Sequence, residues 1–367
     1  GYRGSRLPSA RRPHASRSTH HDMDIGIVGL GRMGLNMAIR LARGGHRVVV
    51  HNRSQGPVDT AVSHGAEAAE SMADLKGKLA SPRVVWLMLP AGPVTDDHVD
   101  EALADALEEG DVLVEGGNSR WTDSLTRAER AREKGVHYVD AGVSGGVWGL
   151  ENGYSIMFGG SEHAAETVTP LIQTLAPGAD SGWGHVGPTG SGHFTKMVHN
   201  GIEYGMMQAF AEGFAILEAK KDWGADADGK AITADLDLGQ IASLWREGSV
   251  VQSWLLDLIA EALKERPGLK AVAPFVPDSG EGRWTVEAAI DLRVPATVLA
   301  ASLFARFDSR DETGFANRVL SAMRGQFGGH PVMGFPGVDG EFADQISEDG
   351  TIDIIPGGVR TEGAGSR

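Results

Sequence analysis

The run Ile25-Gly26-Ile27-Val28, followed at once by Gly29-Leu30-Gly31-Arg32-Met33-Gly34, decides the fold. The first four residues read as a short apolar strand. The next six form a GxGxxG turn, and the residues after it open a helix. Strand, glycine turn and helix in that order are what a dinucleotide-binding fold requires. The glycines let the backbone approach a pyrophosphate, which then meets the helix N-terminus. Gly29, Leu30, Gly31, Arg32, Met33 and Gly34 are therefore the candidate cofactor turn.

Outward from this turn, short apolar strands alternate with amphipathic helices, the pattern of a parallel sheet with crossover helices. Further strands are expected at 47–51, 84–89, 112–115, 138–141 and 155–158. Gly44-Gly45 should end the first helix, and Gly65, Gly110 and Gly135 mark later turns. A Gly- and Pro-rich hinge is expected over 182–192. Beyond it the pattern turns helical, over about 193–220, 239–247, 250–264, 284–291, 296–308 and 312–324. The acidic stretch 222–238 reads as an exposed loop, and 351–355 as one added strand. The expected architecture is an α/β Rossmann-type domain over 23–188 followed by an all-α domain over 189–334. A disordered extension over 1–22 and a Gly- and acid-rich tail over 335–367 flank them.

The 367 residues are long for one core and suit two domains. A net charge of -15 argues against a nucleic-acid or anionic-membrane surface, and requires a locally basic pocket for any anionic substrate. With no cysteine, disulfides, thiolate metal sites and cysteine nucleophiles are excluded, which fits a cytoplasmic protein. No apolar run approaches the roughly 18–20 residues of a membrane span.

Ligands bind at the C-terminal edge of strands in open α/β sheets. Three loops fall there: Leu89-Pro90-Ala91-Gly92, Gly116-Gly117-Asn118-Ser119 and Gly142-Val143-Ser144-Gly145-Gly146. All three should border one crevice. The second strand ends in His51-Asn52-Arg53-Ser54, where NAD enzymes usually carry an acid for the ribose hydroxyls. An acid would repel a 2′-phosphate, whereas Arg53 can stack on it and hydrogen-bond it, so NADP is favoured over NAD. Asn52, Arg53, Ser54, Leu89, Pro90, Ala91 and Asn118 join the turn as candidate cofactor residues.

The stretch Lys196-Met197-Val198-His199-Asn200-Gly201-Ile202-Glu203-Tyr204 carries a base, an acid and polar ligands. Offsets of 3–4 and 7–8 residues bring Lys196, His199, Asn200, Glu203 and Tyr204 onto one helix face. A solvated helix face is the alternative reading of this stripe. A buried one costs free energy unless each group has a partner.

These motifs together resemble the 6-phosphogluconate dehydrogenases (decarboxylating), in the β-hydroxyacid dehydrogenase superfamily. The resemblance covers about 23–334 and is carried by the GGNS loop at 116–119, Ser144-Gly145-Gly146-Val147-Trp148-Gly149, and His193-Phe194-Thr195-Lys196 through Tyr204. Gly282-Arg283-Trp284-Thr285, Leu303-Phe304-Ala305-Arg306 and the segment from Arg324 to His330 add to it. The chain looks like the shorter form, without the duplicated helical half.

The resemblance implies oxidation of 6-phosphogluconate by NADP or NAD to ribulose 5-phosphate and carbon dioxide, a step of the pentose phosphate pathway, with no metal. It implies Lys196 as general base and Glu203 as general acid. It implies Asn118, Ser144, Gly145, Gly146, His199, Asn200, Tyr204, Arg306, Arg324 and His330 as substrate contacts. A free lysine titrates near ~10.4 and is a poor base at neutral pH, whereas burial can lower it towards ~7–8. Arginines suit a phosphate because a guanidinium offers forked donors. One departure is the loop Asp278-Ser279-Gly280-Glu281-Gly282, which carries an acid where longer members have a lysine and a threonine.

A homodimer or homotetramer is also expected, since apolar helices carrying Trp245, Trp254 and Leu303 suggest surface to bury against a partner. Two other functions fit parts of the pattern. One is a sister β-hydroxyacid dehydrogenase acting on a small hydroxy acid or semialdehyde. The other is a non-catalytic dinucleotide-binding regulator, which has no reason to keep Lys196 and Glu203 correctly spaced.

Overall fold

The computed structural model describes residues 23–220, 222–225, 227–233, 236–328, 352–355 and 358–361. The extension expected over 1–22, His330 and most of the 335–367 tail lie outside the described residues. Packing divides the chain into two units. The first ends at Ala273 and resumes over Asp278–Ala305, and the second comprises Pro274–Pro277 and Arg306–Arg367.

The first unit is built on an eight-stranded sheet. In chain order it begins β1 (Asp24–Val28), α1 (Arg32–Arg43), β2 (Arg47–His51), α2 (Gln55–Ser63), β3 (Glu67–Ala68), α3 (Met72–Lys78), β4 (Val84–Leu87) and α4 (Pro93–Glu101). It continues through β5 (Val112–Glu115), α5 (Trp121–Glu133), β6 (His137–Ser144), α6 (Gly149–Asn152), β7 (Ser155–Gly159), α7 (Glu162–Leu175) and β8 (Trp183–Gly187). The strand order is β3-β2-β1-β4-β5-β6-β7-β8, so successive strands switch from one side of β1 to the other between β3 and β4. All neighbours are parallel except β6 and β7.

Helices cover both faces. Met37 and Leu41 of α1 and Val168, Leu171 and Leu175 of α7 pack one side; Met72 and Leu75 of α3, Val99 of α4 and Ala131 of α5 pack the other. The central strand Val84-Val85-Trp86-Leu87 is consequently apolar without alternation and wholly buried. Each such large side chain contributes about 1.5–3 kcal/mol on leaving water.

Two expectations need correction here. Part of the supposed hinge over 182–192 is β8, which pairs with the open edge of β7 (Ile156 beside Trp183), while Trp183 and His185 stack on Phe158. Three glycines in six residues hide the strand, because its hydrogen bonds come from a neighbour rather than from its own side-chain pattern. The region after it is also not purely helical. α8 (Ser191–Ala219) is followed by an antiparallel pair, β9 (Asp222–Ala225) and β10 (Ala231–Thr233), where an exposed loop was expected. Strands of four and three residues joined across Gly229, which has a positive φ of 79°, are too short to show an alternation.

Helices α9 (Leu238–Trp245), α10 (Trp254–Glu265), α11 (Glu281–Asp291) and α12 (Thr297–Asp308) follow. Phe214, Ala242, Leu256, Ala260 and Leu263 give α8, α9 and α10 a small core of their own. Trp245 is half-buried and meets Phe214 edge-on, Leu303 is buried, and Trp254 is half exposed. The helical pattern begins near the expected boundary at 188/189. The packing does not break there, because α8 lies against β6, β7 and β8.

In the second unit, α13 (Phe315–Gly328) is the last helix among the described residues, and the strand expected over 351–355 is β11 (Ile352–Ile355), paired with β12 (Gly358–Thr361).

Candidate active site

The glycine turn has the shape a dinucleotide needs. Gly29 has φ of 92°, and a Cβ there would lie 2.5 Å from the Met88 carbonyl oxygen. At Gly34 a Cβ would come within 2.1 Å of the Gly29 carbonyl oxygen, so α1 approaches β1 more closely than any side chain allows. A Cβ on Gly31 would meet open space, and no side chain caps the start of α1. The first backbone N–H groups of α1 are thus directed into a cradle of suitable charge for a pyrophosphate.

Asn52 braces this cradle: its Oδ1 accepts from the Leu30 N–H at 2.9 Å and its Nδ2 donates to the Ser54 carbonyl at 2.9 Å. Its carboxamide is engaged within the protein, while Arg32, Arg53 and Ser54 are exposed beside it. Leu30 is buried, and Met33 and Leu89 are half-buried. Pro90 and Ala91 are exposed at the end of β4, as is Asn118 beyond β5.

Helix α8 carries the polar stripe. No side chain of its own caps it. Instead Asp140, buried on β6, accepts the Gly190 N–H at 2.6 Å and the His193 N–H at 2.7 Å. Burial pushes the Asp140 carboxyl up despite these bonds. No local sequence signal marks this cap, because it comes from fifty residues upstream. A Cβ on Gly142 would stand 2.3 Å from the Lys196 Cβ, so this glycine admits α8 against the sheet.

The polar stripe is not a solvated face. Lys196 is 6% exposed and Tyr204 7%, while His199, Asn200 and Glu203 are half-buried. The Lys196 Nζ donates to Asn200 Oδ1 at 2.8 Å; His199 Nδ1 lies 3.0 Å from the same oxygen and 3.9 Å from a Glu203 carboxylate oxygen. Burial pulls the Lys196 amine below the ordinary lysine range, and the Glu203 and Glu281 carboxylates oppose this only in part.

The loop 278–282 closes over Tyr204: the Ser279 N–H donates to its hydroxyl at 3.4 Å, and a Cβ on Gly282 would meet its ring. Glu281 in that loop is buried and accepts from the Ser279 hydroxyl at 2.6 Å. Beside the stripe lies a cavity of about 430 Å³ lined by Ser144, Gly145, Trp148, His199 and Trp254. Gly146 follows at the exposed end of the same loop.

The structure therefore gathers Lys196, His199, Asn200, Glu203 and Tyr204 on one face, with Ser144 and Gly145 sharing a cavity with His199. Arg306 and Arg324 belong to the second unit. There the Arg306 guanidinium donates to the Pro277 carbonyl at 2.9 Å, and Arg324 is exposed on α13. Among the described residues no three His, Asp or Glu side chains gather to hold a metal ion, and no helix is long and apolar enough to cross a membrane.

Comparison with known proteins agrees with this geometry. The NAD binding domain of 6-phosphogluconate dehydrogenase matches residues 24–186, and the 6-phosphogluconate dehydrogenase C-terminal domain matches 192–229. An NAD(+)-dependent, decarboxylating 6-phosphogluconate dehydrogenase of Haloferax volcanii is 42% identical over 84% of this chain and 98% of its own. A putative 6-phosphogluconate dehydrogenase of Bacillus subtilis is 39% identical over 84% of this chain and 98% of its own. The solved 6-phosphogluconate dehydrogenase of Plasmodium falciparum, studied with NADP+ and with 6-phosphogluconate, superposes with a TM-score of 0.69 at 27% identity. That match covers 86% of this chain and 67% of the other. With its nicotinamide-dinucleotide turn, its helical C-terminal region and near-full-length relatives of the short form, the chain belongs to the 6-phosphogluconate dehydrogenase family.

Proposed function

We propose that the protein oxidatively decarboxylates 6-phosphogluconate to ribulose 5-phosphate and carbon dioxide, in the pentose phosphate pathway, with NADP preferred over NAD. One observation carries this reading: a buried, amine-lowered Lys196 and an acid, Glu203, two turns apart on one helix face. A bound nicotinamide supplies the hydride acceptor. As the hydride leaves C3 of the sugar acid, Lys196 takes the proton of the C3 hydroxyl. The resulting 3-keto acid breaks its C1–C2 bond, because the ketone accepts the electron pair, and carbon dioxide departs. Lys196, now protonated, hydrogen-bonds the enediol oxygen, and Glu203 delivers a proton to the terminal carbon to release the ketose.

Asn118, Ser144, Gly145, Gly146, His199, Asn200 and Tyr204 would hold the substrate, and Arg306, Arg324 and His330 its phosphate end. In this reading 23–188 binds the dinucleotide and 189–334 completes the substrate site. Incubation with 6-phosphogluconate and either cofactor, followed by absorbance of the reduced nicotinamide, tests the reading. Turnover of a small hydroxy acid in preference to the phosphorylated sugar acid would overturn it.

Cofactor preference is assigned to Arg53, which stands exposed where an acid would otherwise meet the ribose. Charge-assisted hydrogen bonds contribute about 1.5–3 kcal/mol each, or roughly 10- to 100-fold. Arg53→Asp is therefore expected to raise the KM for NADP by that factor and to improve relative use of NAD. An unmodified protein that prefers NAD by a wide margin would remove Arg53 from this role.

We further propose a homo-oligomer in which the segment from Arg324 to His330 completes a neighbour's site. Ile216, Leu244, Leu258 and Val298 are apolar and exposed on helices of the first unit, surface that a second copy would bury. Subunits carrying Lys196→Met, dissociated and reassembled with subunits carrying Arg324→Ala, should regain activity through mixed sites. Verified hybrids that remain inactive would assign the segment to its own subunit.

A further inference from the structure

Arg127 lies in the middle of α5, where a helix rich in Arg and Glu would ordinarily carry a solvated charge. Its side chain is instead completely buried. The guanidinium donates through Nε to Asp96 at 2.9 Å, through Nη1 to the Glu115 carboxylate at 3.1 Å and to the Ser119 hydroxyl at 3.0 Å, and through Nη2 to the Gly92 carbonyl at 3.4 Å. Glu115, itself 1% exposed, also accepts from the hydroxyls of Ser119 and, at 2.6 Å, Tyr138. His193, at the start of α8, lies 3.9 Å from Glu115 and 2.7 Å from the Ser124 hydroxyl. Burial raises the Glu115 carboxyl, but His193, Arg127, Ser119 and Tyr138 outweigh it and keep it below the usual carboxylate range.

Gly92 closes the loop after β4 and Ser119 closes the loop after β5. These are the loops carrying Leu89, Pro90 and Ala91 on one side and Asn118 on the other. One fork of donors therefore reaches both. A charge so buried is costly unless fully paired, and replacing it with a smaller cation leaves partners unsatisfied. We infer that Arg127 is a positioning residue. By clamping the loop after β4 to the loop after β5, it fixes the separation and angle between bound dinucleotide and bound hydroxy acid. The inference rests on the reaction proposed above for what the two loops hold, but not for the clamp itself.

A shift of about 1 Å between reacting partners costs on the order of 10²-fold in rate, while each partner still binds. Arg127→Lys keeps the charge and loses the fork. It is expected to lower kcat about 10²-fold, with the KM for 6-phosphogluconate and for cofactor changing less than about three-fold. The stoichiometry of cofactor binding should stay at that of the unmodified protein, which a partly unfolded preparation would not reproduce. Ser119→Ala removes one arm of the same fork, so its loss should largely vanish in the Arg127→Lys background, as expected for groups acting as a unit. Hydrogen exchange gives a readout independent of substrate: in Arg127→Lys the amides of Met88, Leu89, Ala91 and Gly92 and those of 116–120 should exchange faster together, with β1 and β2 unchanged. Unchanged kcat with raised KM, additive losses, or faster exchange confined to one loop or spread through the core would each overturn the clamp. If the unmodified protein fails to turn over 6-phosphogluconate, the proposed reaction falls, and the exchange measurement still decides the role of Arg127.

Discussion

Lys196→Met is expected to abolish hydride transfer while leaving cofactor binding intact. Only an unprotonated amine can take the C3 hydroxyl proton, and methionine keeps the volume of the stem without any proton acceptor. Positioned acid–base groups contribute about 10²–10⁴-fold, and the loss is expected at the upper end because the first proton removal precedes every later step. The pH dependence has a definite sign. Burial disfavours the charged form of Lys196, so the neutral base is populated at a lower pH than for a free lysine near 10.4. The ascending limb of kcat/KM should therefore level off below that value. Rapid-mixing measurement of cofactor reduction checks both statements. Near-normal reduction in Lys196→Met would remove Lys196 from the base role.

The second large effect is expected at the other end of the stripe. Glu203→Gln keeps shape and hydrogen-bonding capacity but cannot deliver a proton to carbon. Turnover should fall by about 10²–10⁴-fold, whereas the first hydride transfer in a single turnover should survive. The separation of the two phases is the informative result: a burst of reduced nicotinamide followed by slow appearance of ketose. Loss of the burst itself would mean that Glu203 acts before decarboxylation. His199, 3.9 Å from the Glu203 carboxylate, is not expected to replace it as proton donor.

What the sequence made legible, and what it hid, follows from the range of the interactions involved. The turn from Gly29 to Gly34 and the stripe from Lys196 to Tyr204 are local patterns, set by one strand-to-helix junction and by one helical period, and both lie where the pattern predicts. β8 was hidden because an edge strand with two glycines is defined by the neighbour it pairs with. The cap on α8 was hidden because its acceptor, Asp140, comes from a distant strand. Arg127 sits in Trp121–Glu133, which is charged at nearly every turn, so periodicity alone gives no reason to bury it. Only the folded sheet brings Glu115 and Asp96 to it. The packing boundary was hidden for the same reason. Helical spacing starts near 190, yet Gly142 and Gly192 let α8 lie on the sheet as part of its unit.

The most direct test of the account is the stoichiometry of gas to reduced cofactor. With 6-phosphogluconate labelled at C1, the protein should release one labelled carbon dioxide for each nicotinamide reduced, with ribulose 5-phosphate as the sugar product. Reduction of cofactor without release of label would contradict the central claim, since a dehydrogenase that stops at the keto acid has no use for Glu203.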